Sequence, residues 1–155
     1  MSAIKIAVAT NSLGKSVAGH TINRKLQAAK AHGFDGVEVA FECLDAHAAT
    51  FTSLEIREHR LRAAARGVYA TASSLGLKLI ILNPFGAYDG LKDSRDVDVR
   101  LVEAELWCQL CQIMHIGIFQ VCQGPTKNIR QGTLLKSGIF CCRYAPPFTE
   151  PTSPK

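Results

Sequence analysis

Four short apolar runs recur along the first 121 residues, and each is typical of a buried strand. They occupy residues 4–9, 37–41, 77–82 and 118–121. Their starts are separated by roughly 30 to 40 residues, which is the length of one strand–helix unit. Connections of this length join parallel strands, because a crossover helix must return the chain to the same end of the sheet. The pattern therefore predicts an α/β fold in which helices cover a parallel sheet.

The segments between these runs show helical spacing and recognisable helix ends. Thr21 is a candidate N-cap for the first helix, which is predicted to end at residues 32–33. A capping box at residues 52–55 is predicted to open the second helix, and Asp96 or Asp98 the third. The expected buried stripes are Leu54, Leu61, Ala65, Val68, Ala72 and Leu75 in the second helix, and Val99, Val102, Leu106, Leu110 and Ile113 in the third.

The second apolar run carries two carboxylates on one face. Glu38, Ala40 and Glu42 alternate with the apolar positions of that run. A doubly wound sheet covers both faces with helices, so it would bury these carboxylates at a high cost. A barrel accepts polar side chains near the carboxyl ends of its strands, where barrel active sites form. The pattern favours a barrel, with Glu42 and Asn83 predicted to end their strands in equivalent places.

Composition narrows the functional class. The 155 residues are 47% hydrophobic and 20% charged, which is typical of a single soluble domain. No apolar run is long enough to span a membrane, and the N-terminus lacks the pattern of a signal peptide. We therefore expect a cytoplasmic protein with mostly free thiols and no membrane partner.

The residues after position 121 differ from the rest of the chain. Residues 122–155 hold five of the six prolines and most of the net charge of +5, and they show no sustained periodicity. They are predicted to form an irregular, disordered tail beside a domain at residues 1–121. A basic tail with few aromatic residues does not indicate nucleic-acid binding, and we expect no such partner.

Two short motifs suggest other chemistry. Residues 9–16, ATNSLGKS, match a relaxed phosphate-binding loop, but a true loop begins its helix at Gly-Lys-Ser, whereas Thr21 is the better cap here. Cys108 and Cys111 form a C-x-x-C pair inside a predicted helix, which favours buried thiols over a zinc knuckle. His20 is the only histidine in a predicted strand–helix loop, which makes it a candidate substrate contact.

Several stretches resemble one enzyme family in matching order. They are SLGKSVAGHT (12–21), GFDGVEVAFECL (33–44) and LNPFGAYDGLKD (82–93), followed by WCQLCQIMHIGIFQV (107–121). They are similar to the N-terminal half of fungal 3-dehydroshikimate dehydratases. These enzymes are xylose isomerase-like TIM barrels of the sugar phosphate isomerase/epimerase group. The resemblance implies that residues 9–21 form the first strand–helix loop of a barrel rather than a phosphate-binding loop.

The resemblance also implies a reaction, a lyase step that dehydrates 3-dehydroshikimate to protocatechuate in quinate catabolism. The family uses a divalent metal, Mg or Mn, which would stabilise the enolate formed beside the carbonyl. Its metal ligands come from the second half of the barrel and have no counterpart here, so no metal ligand is assigned. The positions expected to line the pocket of a small-molecule substrate are His20, Glu42, Asn83 and Tyr88.

A complete barrel needs about 250 residues, and this pattern supplies about three and a half βα units. We therefore expect a partial TIM barrel that is truncated and inactive as this chain. Three alternatives stay open. They are another isomerase or epimerase of the same barrel group, a non-enzymatic half-barrel that self-associates through open sheet edges, and a small nucleotide-binding α/β domain.

Overall fold

The computed structural model describes residues 4–86, 93–121 and 139–141. Its centre is a five-stranded sheet, and helices alternate with the strands along the sequence. The strands lie in sequence order, and the first four run parallel. The strands are β1 (Ala7–Ala9), β2 (Gly36–Ala40), β3 (Lys78–Phe85), β4 (Ile118–Val121) and β5 (Ile139–Cys141). The helices are α1 (Ile22–Ala31), α2 (Phe41–Ala48), α3 (Arg57–Ser74) and α4 (Ser94–Ile113). Right-handed crossovers between sequential parallel strands place their helices on one side of the sheet, as in a barrel wall.

The helix ends agree with the sequence prediction at α1 and differ at α3 and α4. Thr21 caps α1 by accepting a hydrogen bond from the Arg24 backbone N–H at 3.4 Å, as predicted. No side chain caps α3, which begins after Ile56, so the capping box predicted at residues 52–55 is wrong. Asp93 caps α4 through the Arg95 backbone N–H at 2.8 Å, ahead of the predicted start.

The core lies between the sheet and one face of each helix. The predicted stripe of α3 is confirmed at its four central positions, which are Leu61, Ala65, Val68 and Ala72. In α4 the prediction is wrong for Val99 and Val102, which are 65% and 67% exposed. Leu106 and Leu110 are buried as predicted, together with Trp107. Only the second half of α4 therefore packs on the sheet.

The end of β2 differs most from the sequence prediction. The strand stops at Ala40, and α2 begins at once with Phe41, a helix that the apolar pattern did not indicate. The Phe41 ring stacks on Trp107 of α4 at a centroid distance of 4.5 Å. Glu42 lies in the first turn of α2 and is exposed, where a carboxylate complements the positive end of the helix dipole. The prediction that Glu42 ends the strand is wrong.

The edges of the sheet also differ from expectation. β1 begins at Ala7 rather than at residue 4, and Ile4 and Ile6 are exposed. Most of the tail predicted at residues 122–155 lies outside the described residues. Within it, β5 pairs antiparallel with β4, so the outer edge of β4, predicted to be open, is occupied. In the described part of the chain, no helix has the length and apolar character needed to cross a bilayer.

Candidate functional site

A carboxylate and an amide meet on the sheet face opposite the helices. Glu38 in β2 and Asn83 in β3 are joined by a hydrogen bond from Asn83 Nδ2 to Glu38 Oε1. The pairing register explains the contact, since Ala40 lies beside Asn83 and Glu38 lies beside Ile81. Asn83 is 9% exposed and Glu38 is half-buried. The pair therefore presents a partly accessible polar surface near the carboxyl ends of parallel strands.

Thr10 ties the first two strand ends together. It follows β1 directly and is fully buried at 0% exposure. Its Oγ1 accepts a hydrogen bond at 2.9 Å from the backbone N–H of Ala40, the last residue of β2. This contact satisfies a buried donor at the point where the chain leaves the sheet for α2. It fixes the β1 end beside the strand that carries Glu38.

The loop after β1 contains two short 3₁₀ turns, Thr10–Leu13 and Ser16–Ala18. Gly14 has φ 96°, and a Cβ there would lie 2.7 Å from Cγ of the His20 ring, so the imidazole packs directly against the glycine. α1 begins only at Ile22, so no α-helix starts at Gly14-Lys15-Ser16. Because phosphate loops depend on that helix start, the geometry does not resemble one.

An aromatic cluster supports the strand ends from the helix side. Trp107 contacts three phenylalanine rings, with centroid distances of 4.5 Å to Phe41, 5.2 Å to Phe85 and 5.9 Å to Phe119. Its Nε1 is buried without a hydrogen-bond partner among the described residues. Aromatic pairs at such distances contribute beyond their buried area, so the cluster holds α2, β3, β4 and α4 in one rigid unit.

The four predicted site residues have different outcomes. Asn83 lies on the sheet face and contacts Glu38, but β3 continues to Phe85, so the prediction that Asn83 ends its strand is wrong. Glu42 is exposed on α2 and is not part of this pair. His20 is exposed, and no hydrogen bond between described residues joins it to Asn83. Tyr88 lies outside the described residues.

Sequence reasoning did not single out Glu38, although it had found the alternation that puts Glu38 and Glu42 on one face. The error came from the strand end. Had β2 been recognised as stopping at Ala40, Glu38 would have been the carboxylate nearest its carboxyl end on the open face. The hydrogen bond from Asn83 Nδ2 to Glu38 depends on the register between β2 and β3. That register shifts after Val37, and the sequence does not reveal the shift.

The described residues do not fit a divalent metal site. Among residues 4–86, 93–121 and 139–141, no group of three or more His, Cys, Asp or Glu side chains could hold an ion. Glu38 is bonded to an amide rather than grouped with other carboxylates. Cys108 and Cys111 lie in α4, half-buried and buried respectively. No reaction step through a metal follows from these residues.

Comparison with known proteins gives two informative matches. The chain is 31% identical over 131 residues to a 3-dehydroshikimate dehydratase of Neurospora crassa, covering 76% of this chain and 34% of that protein. It also superimposes on a protein described as a xylose isomerase-like TIM barrel/4-hydroxyphenylpyruvate dioxygenase fusion, with a TM-score of 0.60 and 25% identity. That match covers 80% of this chain and 17% of the other. No family model matches the chain.

The chain thus spans about a third of the length of the curated relative that it matches. The parallel order of β1 to β4 agrees with the structural match, because consecutive strand–helix units in sequence order are the repeat of a TIM barrel. The resemblance first seen in residues 12–21, 33–44 and 82–93 is confirmed. The chain is a homologue of a fungal 3-dehydroshikimate dehydratase, and its fold is that of part of a xylose isomerase-like TIM barrel.

Proposed function

We propose that this chain forms one wall of a barrel of the 3-dehydroshikimate dehydratase type, and that Glu38 and Asn83 contact the small-molecule substrate. The observation that carries the proposal is the hydrogen-bonded pair on the open face of the sheet. The homology to the Neurospora enzyme supports the substrate class. Conversion of 3-dehydroshikimate to protocatechuate removes water from a ring that carries a carbonyl, hydroxyl groups and a carboxylate.

The chemistry of the pair suits such a ligand. A carboxylate has about four lone-pair sites, and the amide of Asn83 occupies one of those on Glu38. The remaining sites can accept hydrogen bonds from substrate hydroxyl groups. Asn83 is 9% exposed, so its amide is held in one orientation and holds the carboxylate in turn. Glu38 and Asn83 are therefore expected to bind and orient the substrate.

We further propose that the isolated chain does not turn over substrate. Barrel active sites use residues from several strands around a closed ring, and they exclude water during reaction. β1 to β4 form an arc of parallel strands whose remaining neighbour is the antiparallel β5. Its open face leaves a bound ring accessible to water. Added strands would be needed to complete the pocket and to supply metal ligands.

A chimera tests this proposal. The matching segment of the Neurospora enzyme is replaced by residues 4–121 of this chain, and protocatechuate formation is measured with Mn²⁺ or Mg²⁺. Loss of a hydrogen bond to a charged group costs about 1.5–3 kcal/mol, so Glu38→Gln should lower kcat/KM by about 10- to 100-fold. Glu42→Gln is the matched control, because Glu42 is exposed on α2, and it should leave the rate unchanged. Equal effects of the two substitutions would contradict the assignment.

A second candidate is self-association, favoured by apolar residues on the outside of α4. Val99, Leu101 and Val102 are 65%, 59% and 67% exposed, which is unusual for neighbouring positions on one helix of a monomer. Sedimentation at two protein concentrations would test it. A concentration-dependent mass that disappears in Val99→Lys would support association, whereas a constant monomer mass would exclude it.

A further inference from the structure

A lysine, a cysteine and a serine meet behind the loop that follows β1. Lys25 in α1 is 2% exposed, and Cys43 in α2 is 1% exposed. Lys25 Nζ donates hydrogen bonds to Cys43 Sγ at 3.0 Å and to Ser16 Oγ at 3.4 Å. The amine nitrogen and the sulfur are therefore in direct contact within the core.

The burial of Lys25 is unusual, because lysines are almost never fully buried unless they are paired. The ion pairs between described residues join Arg57 to Asp45 and Arg100 to Glu103, and neither involves Lys25. A buried ammonium without an opposite charge is costly. The core thus holds an amine whose nearest partner is a thiol, an arrangement that packing alone does not favour.

We propose that Lys25 and Cys43 are an oxidative cross-linking site, at which a peroxide drives formation of a covalent sulfur–nitrogen bond. The thiolate is the form of cysteine that attacks a peroxide. Sγ attacks one peroxide oxygen and the O–O bond breaks. The departing hydroxide takes a proton from the ammonium of Lys25, so the products are a sulfenic acid, water and a neutral amine. The sulfur is oxidised and the peroxide is reduced.

The second step joins the two residues. The nitrogen lone pair of Lys25 attacks the sulfenic sulfur, the S–O bond breaks, and hydroxide leaves with an amine proton as water. Sulfenic acids condense with nitrogen in this way when a nitrogen nucleophile is held beside them. The overall change is the loss of two hydrogen atoms from the chain and the reduction of one peroxide to two waters. A thiol reductant reverses it by attacking the sulfur.

The surroundings permit this reaction. Ser16, whose Oγ accepts a hydrogen bond from Lys25, is half-buried in a 3₁₀ turn of the loop, so the cluster reaches the protein surface at this residue. α1 and α2 both pack into the core, and Lys25 Nζ already lies 3.0 Å from Cys43 Sγ. A bond between Lys25 and Cys43 would connect α1 covalently to α2. α2 directly follows β2, the strand that carries Glu38. The cross-link would thereby stiffen the candidate site under oxidising conditions.

Peptide mapping of the purified chain tests the proposal directly. The protein is treated with hydrogen peroxide, digested with trypsin without reductant, and analysed by mass spectrometry. We expect a linked pair of peptides containing Lys25 and Cys43, lighter than their sum by two hydrogens, and loss of tryptic cleavage after Lys25. Dithiothreitol should restore both peptides and the cleavage. A fragment spectrum that locates the bond separates this product from a disulfide between other cysteines.

Two variants serve as controls. Lys25→Arg should abolish the linked pair while Cys43 still oxidises, and Cys43→Ser should restore full cleavage after Lys25. The wild-type map decides the question even if either variant fails to fold. If peroxide converts Cys43 to sulfinic acid in the wild type with no linked peptide, the proposal is refuted. It is equally refuted if Cys108 oxidises at a dose that leaves Cys43 a free thiol.

Discussion

The buried hydroxyl of Thr10 offers a sharp test of how the strand ends are held. Thr10 is 0% exposed, and its Oγ1 accepts the Ala40 backbone N–H at 2.9 Å. Thr10→Val replaces the hydroxyl by a methyl group of nearly the same size, so it creates no cavity. It leaves the Ala40 donor buried without that acceptor, which costs about 1–3 kcal/mol.

The effect is measurable by urea unfolding followed through fluorescence of Trp107, the single tryptophan of the chain. With a denaturant slope of about 2 kcal/mol per molar urea, a cost of about 2 kcal/mol lowers the unfolding midpoint by roughly 1 M. Thr10→Ser is the matched control, since it keeps the acceptor and loses one methyl group, worth about 0.8 kcal/mol.

Amide hydrogen exchange separates the two variants. In Thr10→Val the Ala40 amide should lose more protection than the fall in global stability explains. In Thr10→Ser its protection should fall only in proportion to global stability. The reasoning is refuted if Thr10→Val is as stable as the wild type, or if the Ala40 amide keeps its relative protection in that variant.

Two further predictions concern titratable groups. Partial burial lowers the pKa of His47 from 6.5, so the unfolded chain takes up a proton first as pH falls. The free energy of unfolding should therefore be highest above about pH 6.5 and should fall as the pH drops from there to the lowered pKa of folded His47. In His47→Gln, the urea midpoint should change less with pH over the same range. Asn83→Asp places a second carboxylate against Glu38. Because adjacent carboxylates resist joint ionisation, the free energy of unfolding of this variant should fall as pH rises from about 4 to 7. Urea midpoints of the variant that stay constant over this range would contradict the contact.

The periodicity of the sequence was a good guide wherever a local rule determined the structure. The apolar run at residues 118–121 is a strand with the same limits, and Thr21 caps α1 as its side chain and position predict. The stripe from Leu61 to Ala72 is buried because a helix packed on a sheet must turn its apolar face inward. Such features depend on neighbours in sequence, so they could be found without coordinates.

The errors arose where distant contacts outweighed local preference. Phe41 continues the alternation of β2 in the sequence, yet it begins α2 and stacks on Trp107, a partner far along the chain. Val99 and Val102 have helical spacing but remain exposed, because the core reaches α4 only from Ala104 onward. Neither the length of β2 nor the buried part of α4 is encoded in a short window of residues.

The sequence by itself determined the strand–helix repeat, the parallel sheet and the resemblance to a dehydratase barrel, because each depends on periodicity and on motifs in fixed order. Only the tertiary structure decided which polar groups meet. The contact between Glu38 and Asn83 follows from the register of two strands, and that between Lys25 and Cys43 from the packing of two helices. The physical reason is that side chains distant in sequence become neighbours only when strand pairing and core packing fix their positions together.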